Sequence, residues 1–547
     1  MTHKLLSFYL LIHAMFSFAQ TRPDQHLAKY KDNNTPYPLY AGSFGMKLKF
    51  TDADIKLLGE NFDALYGSWD LDYKTANKIR SVNPDFDFLA YHGNWRVSGK
   101  DLQYVENGHL DEILYYRAGI LENEISAKEK LISIEDLFGS VIPSSAHVDS
   151  SKSYHENSEF KFITFLKIGK EYMRIQKVEG QKIEVERAWS NSKANNHKKG
   201  TPILIPVYGR APDPDSKRGY EYRQDERSML RWERFLSDIK KDYNKHGGGI
   251  WIDILIGNLA HYAVSGETLP VNRIWDLERN QRYDPIDRAK NAERGIRFIQ
   301  EAFFKEYGKY PVIWGNNMMF PTNLQNDRLR MLLKTDEKPR PIDGFAMENC
   351  FAQYGYGGHS GKKFMYTSYN DWQLSLQSIM YTGELKVSAR PLIMDGGIDN
   401  KKFASLPKER RHELFLYSYA SYLLGVKVEE DGSIYTKLGL CPFVFQEDGN
   451  HYAELDPCFL WDIGLPRETY KSQEYLKYKM EGRKVFVRKF ENGIVLVNPS
   501  EDIEENIDLD SYGKGFINPD VPGKTISKIT VKPRNGVILQ NKKNISN

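Results

Sequence analysis

Carboxylates recur where apolar runs of this chain end. Asp253 sits inside GGGIWIDIL, Glu348 inside FAMENC, Asp395 inside MDGG and Asp70 inside GSWD. A charge within a buried strand costs free energy unless it is paired or used. Two carboxylates facing one pocket can share a displacement: one attacks or stabilises an electrophilic carbon, the other protonates the leaving oxygen. Aromatic and amide residues stand at matching places, namely Trp69, His92, Trp95, Trp314 and Asn316. Indole faces stack on sugar rings, and Asn, His and Asp bind hydroxyls directionally. This pattern makes Asp253 the expected nucleophile or charge stabiliser. It makes Glu348 the general acid/base, its proton held more tightly by nearby carboxylates. Asp70, Trp69, His92, Trp95, Trp314, Asn316 and Asp395 would surround the substrate.

Each of these residues also has a plainer role available. Asp253 could cap a loop and Glu348 could pair with an arginine at a rim. Asp395 could start an Asp-Gly turn, and Asp70 could cap the next helix. The tryptophans could fill a core, and His92 could be a hydrogen-bonded structural histidine. Glu447 and Asp448, in QEDGN, read as an exposed turn. No Ser-His-Asp elbow, P-loop, HExxH motif or dinucleotide glycine fingerprint stands at a matching place. No His/Asp/Glu spacing argues for a metal, and no cofactor is expected. Cys350, Cys441 and Cys458 are the only cysteines. They make no disulfide framework and no CxxC zinc spacing; one pair is possible, and the sequence does not choose it.

Short apolar runs that alternate with helical patterns must position the candidate residues. Strands are expected near residues 40, 64, 88, 251, 312, 344, 392 and 443. Between them lie TDADIKLLGENF, YKTANKIRSVNP, RSMLRWERFLSDIKKDYNKH, DPIDRAKNAERGIRFIQEAFFKEYG, NDRLRMLLK, YNDWQLSLQSIMYTG and ERRHELFLYSYASYLLG, all read as helical. Eight such units predict an α/β fold, a (β/α)8 TIM barrel, whose site lies at the C-terminal ends of the strands. From about Leu131 to Pro206 the runs FKFITFLKIG, EYMRIQKVEG and KIEVERAW alternate apolar and polar residues, which predicts a β-rich antiparallel insertion. After Tyr470 short strands split by Asn-Gly and Pro predict a small β-sandwich-like C-terminal domain, with a hairpin at Asn492–Gly493. The expected organisation is a signal peptide at 1–19, barrel at 20–130 and 207–470, insertion at 131–206 and β domain at 471–547.

The start of the chain sets its expected destination. Lys4 precedes an apolar run from Leu5 to Phe18, and Ser17-Phe18-Ala19 places small residues where a signal peptidase cuts. No cysteine lies near that point, so a lipid anchor is not expected, and no later segment is long and apolar enough to span a membrane. The protein is therefore expected to be secreted or periplasmic. Lys plus Arg total 76 against 73 Asp plus Glu, which leaves +3 and gives no reason to expect a nucleic-acid partner. The aromatic share of 13% suits sugar stacking but equally suits a large core.

The strand GGIWIDIL, the motif FAMEN and the tail VFVRKFENGIVLVNPS followed by NGVIL together resemble secreted barrel glycoside hydrolases. The tail is similar to the β-domain that closes many barrel glycosidases, including the loosely characterised "hypothetical glycosyl hydrolase" families, and the chain more distantly resembles the α-galactosidase clan. The signal ending SFAQ is similar to exported polysaccharide-degrading proteins of Bacteroidetes. The resemblance spans roughly residues 38–540 apart from the insertion. It implies a nucleophile at Asp253. It implies an acid/base at Glu348, which matches the clan in place but not in type, since an aspartate is usual there. The implied substrate is a plant or algal polysaccharide or oligosaccharide. The alternative is a non-catalytic surface glycan-binding protein on a degenerate barrel, in which Asp253 and Glu348 would not converge. A polysaccharide lyase would want a Tyr/His pair or a calcium site, and no clear one stands in the sequence.

Overall fold

The computed structural model describes residues 28–42, 50–67, 71–92, 96–98, 109–135, 165–208, 221–252, 261–262, 268–269, 273–315, 337, 339–347, 350–354, 364–386, 388–391, 406–440, 444–447, 450–453 and 455–542. They fall into two compact units, one of residues 1–92, 235–255 and 296–547, the other of residues 93–234 and 256–295.

The first unit is built on eight parallel strands: β1 (Leu39–Gly42), β2 (Ala64–Tyr66), β3 (Asp87–His92), β4 (Gly249–Ile252), β5 (Ile313–Gly315), β6 (Gly344–Met347), β7 (Ser388–Pro391) and β8 (Leu438–Leu440). Their spatial order is β8-β1-β2-β3-β4-β5-β6-β7, and every neighbouring pair is parallel. The edge strands β7 and β8 come back within 8 Å of each other at Cα. Chain order thus equals spatial order, which is what repeated right-handed β/α units produce.

The intervening helices carry their own start signals. In α1 (Asp52–Asn61), Thr51 accepts from the Asp54 N–H while the Asp54 carboxylate accepts from the Thr51 N–H, a capping box. Asp72 caps α2 (Tyr73–Val82) by accepting from the Thr75 N–H at 2.8 Å. The long patterns give α3 (Met229–His246), α4 (Pro285–Tyr307), α5 (Tyr369–Leu385) and α6 (Lys408–Gly425). The expected helix NDRLRMLLK lies outside the described residues.

The three glycines before β4 have three separate physical reasons. Gly247 ends α3 at φ 70°, donating to the Tyr243 carbonyl at 2.7 Å, a left-handed cap that favours glycine. A Cβ on Gly248 would stand 2.3 Å from the Phe88 carbonyl oxygen, and one on Gly249 would stand 2.6 Å from Val312. The latter two are steric clearances that let β4 seat between β3 and β5.

One strand differs from expectation. The eighth parallel strand is Leu438–Leu440, not the run around residue 443. Val444–Glu447 instead pairs antiparallel with Asn450–Ala453, with Glu447 opposite Asn450. Gln446 and Glu447 therefore belong to a hairpin and do not end a parallel strand; Asp448 lies outside the described residues.

The second unit contains an antiparallel barrel. Strands Tyr115–Leu121, Leu131–Glu135, Lys182–Trp189, Glu171–Glu179, Phe165–Ile168 and Pro202–Pro206 pair in that order, and Pro202–Pro206 closes the ring onto Tyr115–Leu121. Inward positions such as Tyr116, Ala118, Ile132, Ile134, Met173 and Ile183 fill it. The sheet begins at Tyr115, upstream of the expected boundary at 131, and Ile274–Asp276 extends it far downstream of 206. A buried carboxylate pins the ring at one end. Glu171 accepts from Arg187 Nε at 2.7 Å, Arg187 Nη2 at 2.8 Å, the Ala188 N–H at 3.1 Å and the Asn195 N–H at 3.0 Å, with His197 Nε2 at 2.8 Å.

The C-terminal strands belong to the first unit. Phe486–Lys489, Gly493–Asn498, Asn535–Asn541, Phe516–Ile517 and Thr525–Ile526 form one sheet, and the Asn492–Gly493 hairpin joins its first two strands. Gly536 allows α6 to lie against this sheet, since a Cβ there would be 2.7 Å from the Ala420 Cβ. Arg488 locks the contact. Its Nη1 donates to the Leu423, Leu424 and Val426 carbonyls, satisfying acceptors that the C-terminus of α6 leaves open.

Candidate functional site

The inner face of the parallel sheet follows from the two-residue period of its strands. Tyr40, Ala64, Tyr66, Leu89, Trp251, Trp314 and Ala346 form one buried cluster, with Tyr91 and Val312 packed against it. The residues between them, Phe88, Ala90, Ile250, Ile252 and Phe345, turn to the other face and are also buried. Burial on both faces is the expected state of a parallel sheet under a helix layer.

The inner cluster is mostly aromatic. Tyr66 and Tyr91 stand edge-on to Trp251, with centroids 5.3 and 5.1 Å away, and Tyr40 tilts against Trp314 at 5.7 Å. Gly42 makes room for this layer, because a Cβ there would lie 2.4 Å from the Tyr66 ring. The interior is thus a closely packed aromatic layer with almost no exposed surface.

Two of the expected site residues lie on described strands. His92 shares the parity of Phe88 and Ala90, so it turns to the outer face. Its Nε2 lies 2.6 Å from the Asp242 carboxylate of α3, and its Nδ1 lies 3.8 Å from Asp238. It ties β3 to a helix and takes the structural role. Trp314 does face inward, but it has no exposed surface. It is a wall of the interior and presents no open sugar platform. Asp253, Glu348, Asp70, Trp69, Trp95, Asn316 and Asp395 lie outside the described residues. In the sequence Asp253 directly follows the last residue of β4, and Glu348 the last residue of β6.

Sequence reasoning passed over two features. Trp251 stands two positions before Asp253, and its inward parity was available in GGGIWIDIL. Lys437, next to the start of β8, is wholly buried, with Nζ 5.4 Å from the Tyr40 ring centroid. Burial lowers the proton affinity of this amine, against the opposing pull of Asp63 and Asp87. Its Nζ makes no hydrogen bond among the described residues. No helix among the described residues is long and apolar enough to cross a membrane.

No family model matches the chain, and no curated protein matches it. Among solved structures it is similar to the glycoside hydrolase domain of PelA from Pseudomonas aeruginosa, at 10% identity over 74% of this chain and 95% of that one, with a TM-score of 0.31. It is similar to a family GH13_31 enzyme at 10% identity over 95% of this chain and 100% of that one, with a TM-score of 0.41. It is also similar to the trehalose-6-phosphate hydrolase of Bacillus licheniformis, at 8% identity over 92% and 98% of the two chains, with a TM-score of 0.44.

Proposed function

We propose that this chain is an exported glycoside hydrolase whose parallel sheet closes as a full (β/α)8 barrel. The observation that carries the reading is parity. Trp251 and Ala346 both belong to the inner cluster, and in the sequence Asp253 and Glu348 follow them by two positions each; a strand that continued its period would turn those two positions the same way. In the sequence each carboxylate directly follows the last residue of its strand, Ile252 of β4 and Met347 of β6, the end at which barrel enzymes hold their chemistry.

Asp253 acts as nucleophile or charge stabiliser and Glu348 as general acid/base. Asp70, Trp69, Trp95, Asn316 and Asp395 bind sugar hydroxyls and faces. The substrate is a plant or algal polysaccharide or oligosaccharide. A carboxyl separation of about 5–5.5 Å gives retention at the anomeric carbon, and one of about 6.5–9.5 Å gives inversion.

The test is product release by the purified protein from a panel of plant and algal polysaccharides, with Asp253→Asn and Glu348→Gln as controls. Oligosaccharide products from the parent, absent from both variants, support the proposal. Binding without cleavage by the parent points to a surface glycan-binding protein instead.

A further inference from the structure

Three donors of three kinds meet away from the parallel sheet's inner cluster. His412 lies on α6, and Asp456 and Cys458 on the short turn after the 444–453 hairpin. Their ligand atoms all lie within 4.8 Å of one another. His412 Nδ1 is 2.9 and 3.1 Å from the two Asp456 oxygens. Asp456 is buried, Cys458 has no exposed surface, and the His412 side chain keeps 22% exposure, so the imidazole edge is in reach of solvent.

A second observation points to an ion. The other ring nitrogen of His412, Nε2, lies 3.0 Å from an Asp520 oxygen. A carboxylate beside the far nitrogen is what orients a metal-bound imidazole and strengthens it as a ligand; here it lies at ion-pair distance without an aligned hydrogen bond.

We propose that His412 Nδ1, the Asp456 carboxylate and Cys458 Sγ bind one zinc-class divalent ion, with Asp520 as the positioning partner of the imidazole. A mixed N/O/S set suits this borderline-soft metal. Ligand bonds of about 2.0–2.3 Å at tetrahedral angles put donor atoms roughly 3.3–3.7 Å apart, so the His412–Asp456 pair opens by a few tenths of an ångström from 2.9 and 3.1 Å, while the remaining separations, all within 4.8 Å, close towards that range. Coordination displaces the proton shared by His412 and Asp456 and the thiol proton of Cys458, and both leave to solvent. The ion would pin α6 to the 456–460 turn, a structural role independent of the proposed hydrolysis. Sequence spacing hid the site, because His412 and Asp456 are 44 residues apart.

The test uses the full chain, stripped with chelator and titrated with zinc and then with cobalt(II). The expected result is one ion per chain, a thiolate-to-cobalt charge-transfer band, and a melting temperature that rises on loading. Cys458→Ser abolishes the band, and Asp520→Asn keeps it while weakening affinity by about 10–100-fold. The rise on loading is read within each variant, so a lower starting stability does not obscure it. A stripped chain that stays folded and takes up no stoichiometric ion overturns the proposal. So does a cobalt band that survives Cys458→Ser. Either result leaves His412 as an imidazolium held between two carboxylates.

Discussion

Replacing Glu171 with Gln tests how the antiparallel barrel is held. The carboxylate has no exposed surface. Burial by itself would raise its pKa, but the bidentate Arg187, His197 and the backbone N–H groups of Asn195 and Ala188 outweigh that and hold it at about 2, against 4.5 for a free glutamate. A shift of that size corresponds to roughly 3 kcal/mol of stability at neutral pH. The folded value lies below the unfolded one, so the contribution is fully present above about pH 4.5 and fades as pH falls towards 2. Glu171→Gln also leaves the guanidinium of Arg187 buried without its counter-charge, and breaking such a pair costs about 3–5 kcal/mol. The assay is urea unfolding of parent and variant between pH 2 and pH 8, with hydrogen exchange followed at Glu171–Glu179 and Lys182–Trp189. The variant should be less stable by about 3–5 kcal/mol at pH 7, and the gap should close as pH falls below 4.5. A gap under about 1 kcal/mol, or one that does not change with pH, refutes the reasoning.

Arg488→Met should destabilise the first unit by about 3 kcal/mol or more, because the Leu423, Leu424 and Val426 carbonyls lose their donor inside a buried contact. Thermal unfolding reads the loss, and an unchanged melting temperature would dismiss the capping role. His92→Gln should lower stability by about 1–3 kcal/mol through loss of the Asp242 contact, while turnover stays within a few-fold of the parent. A collapse in turnover at unchanged stability would return His92 to the substrate site.

Much of the architecture was legible because it repeats. Strand, helix and strand recur, so β1 to β6 fall where apolar runs and caps such as Thr51 and Asp72 place them. The eighth strand was misplaced for a physical reason. Leu438–Leu440 is three residues long with a glycine at its centre, whereas the neighbouring FVFQ carries the stronger strand pattern and spends it on a hairpin. Closure of the inserted ring depends on Pro202–Pro206 meeting Tyr115–Leu121, a contact between segments far apart in the chain that no local pattern encodes. At the candidate site, parity told more than residue type. His92 alternates with the inward Leu89 and Tyr91, so its outward turn towards Asp242 was readable from the strand alone. Trp314 was expected at the substrate by its residue type and place near a strand end, and residue type could not say that neighbouring aromatics would cover it.

The proposed hydrolysis requires Asp253 and Glu348 to act together on a glycosidic bond. The direct measurement is turnover of Asp253→Asn and Glu348→Gln on whichever glycan the parent cleaves, with circular dichroism and melting temperature recorded for each. The account predicts that both variants lose activity by roughly 10²–10⁴-fold while remaining folded. Near-parental turnover by either variant contradicts it.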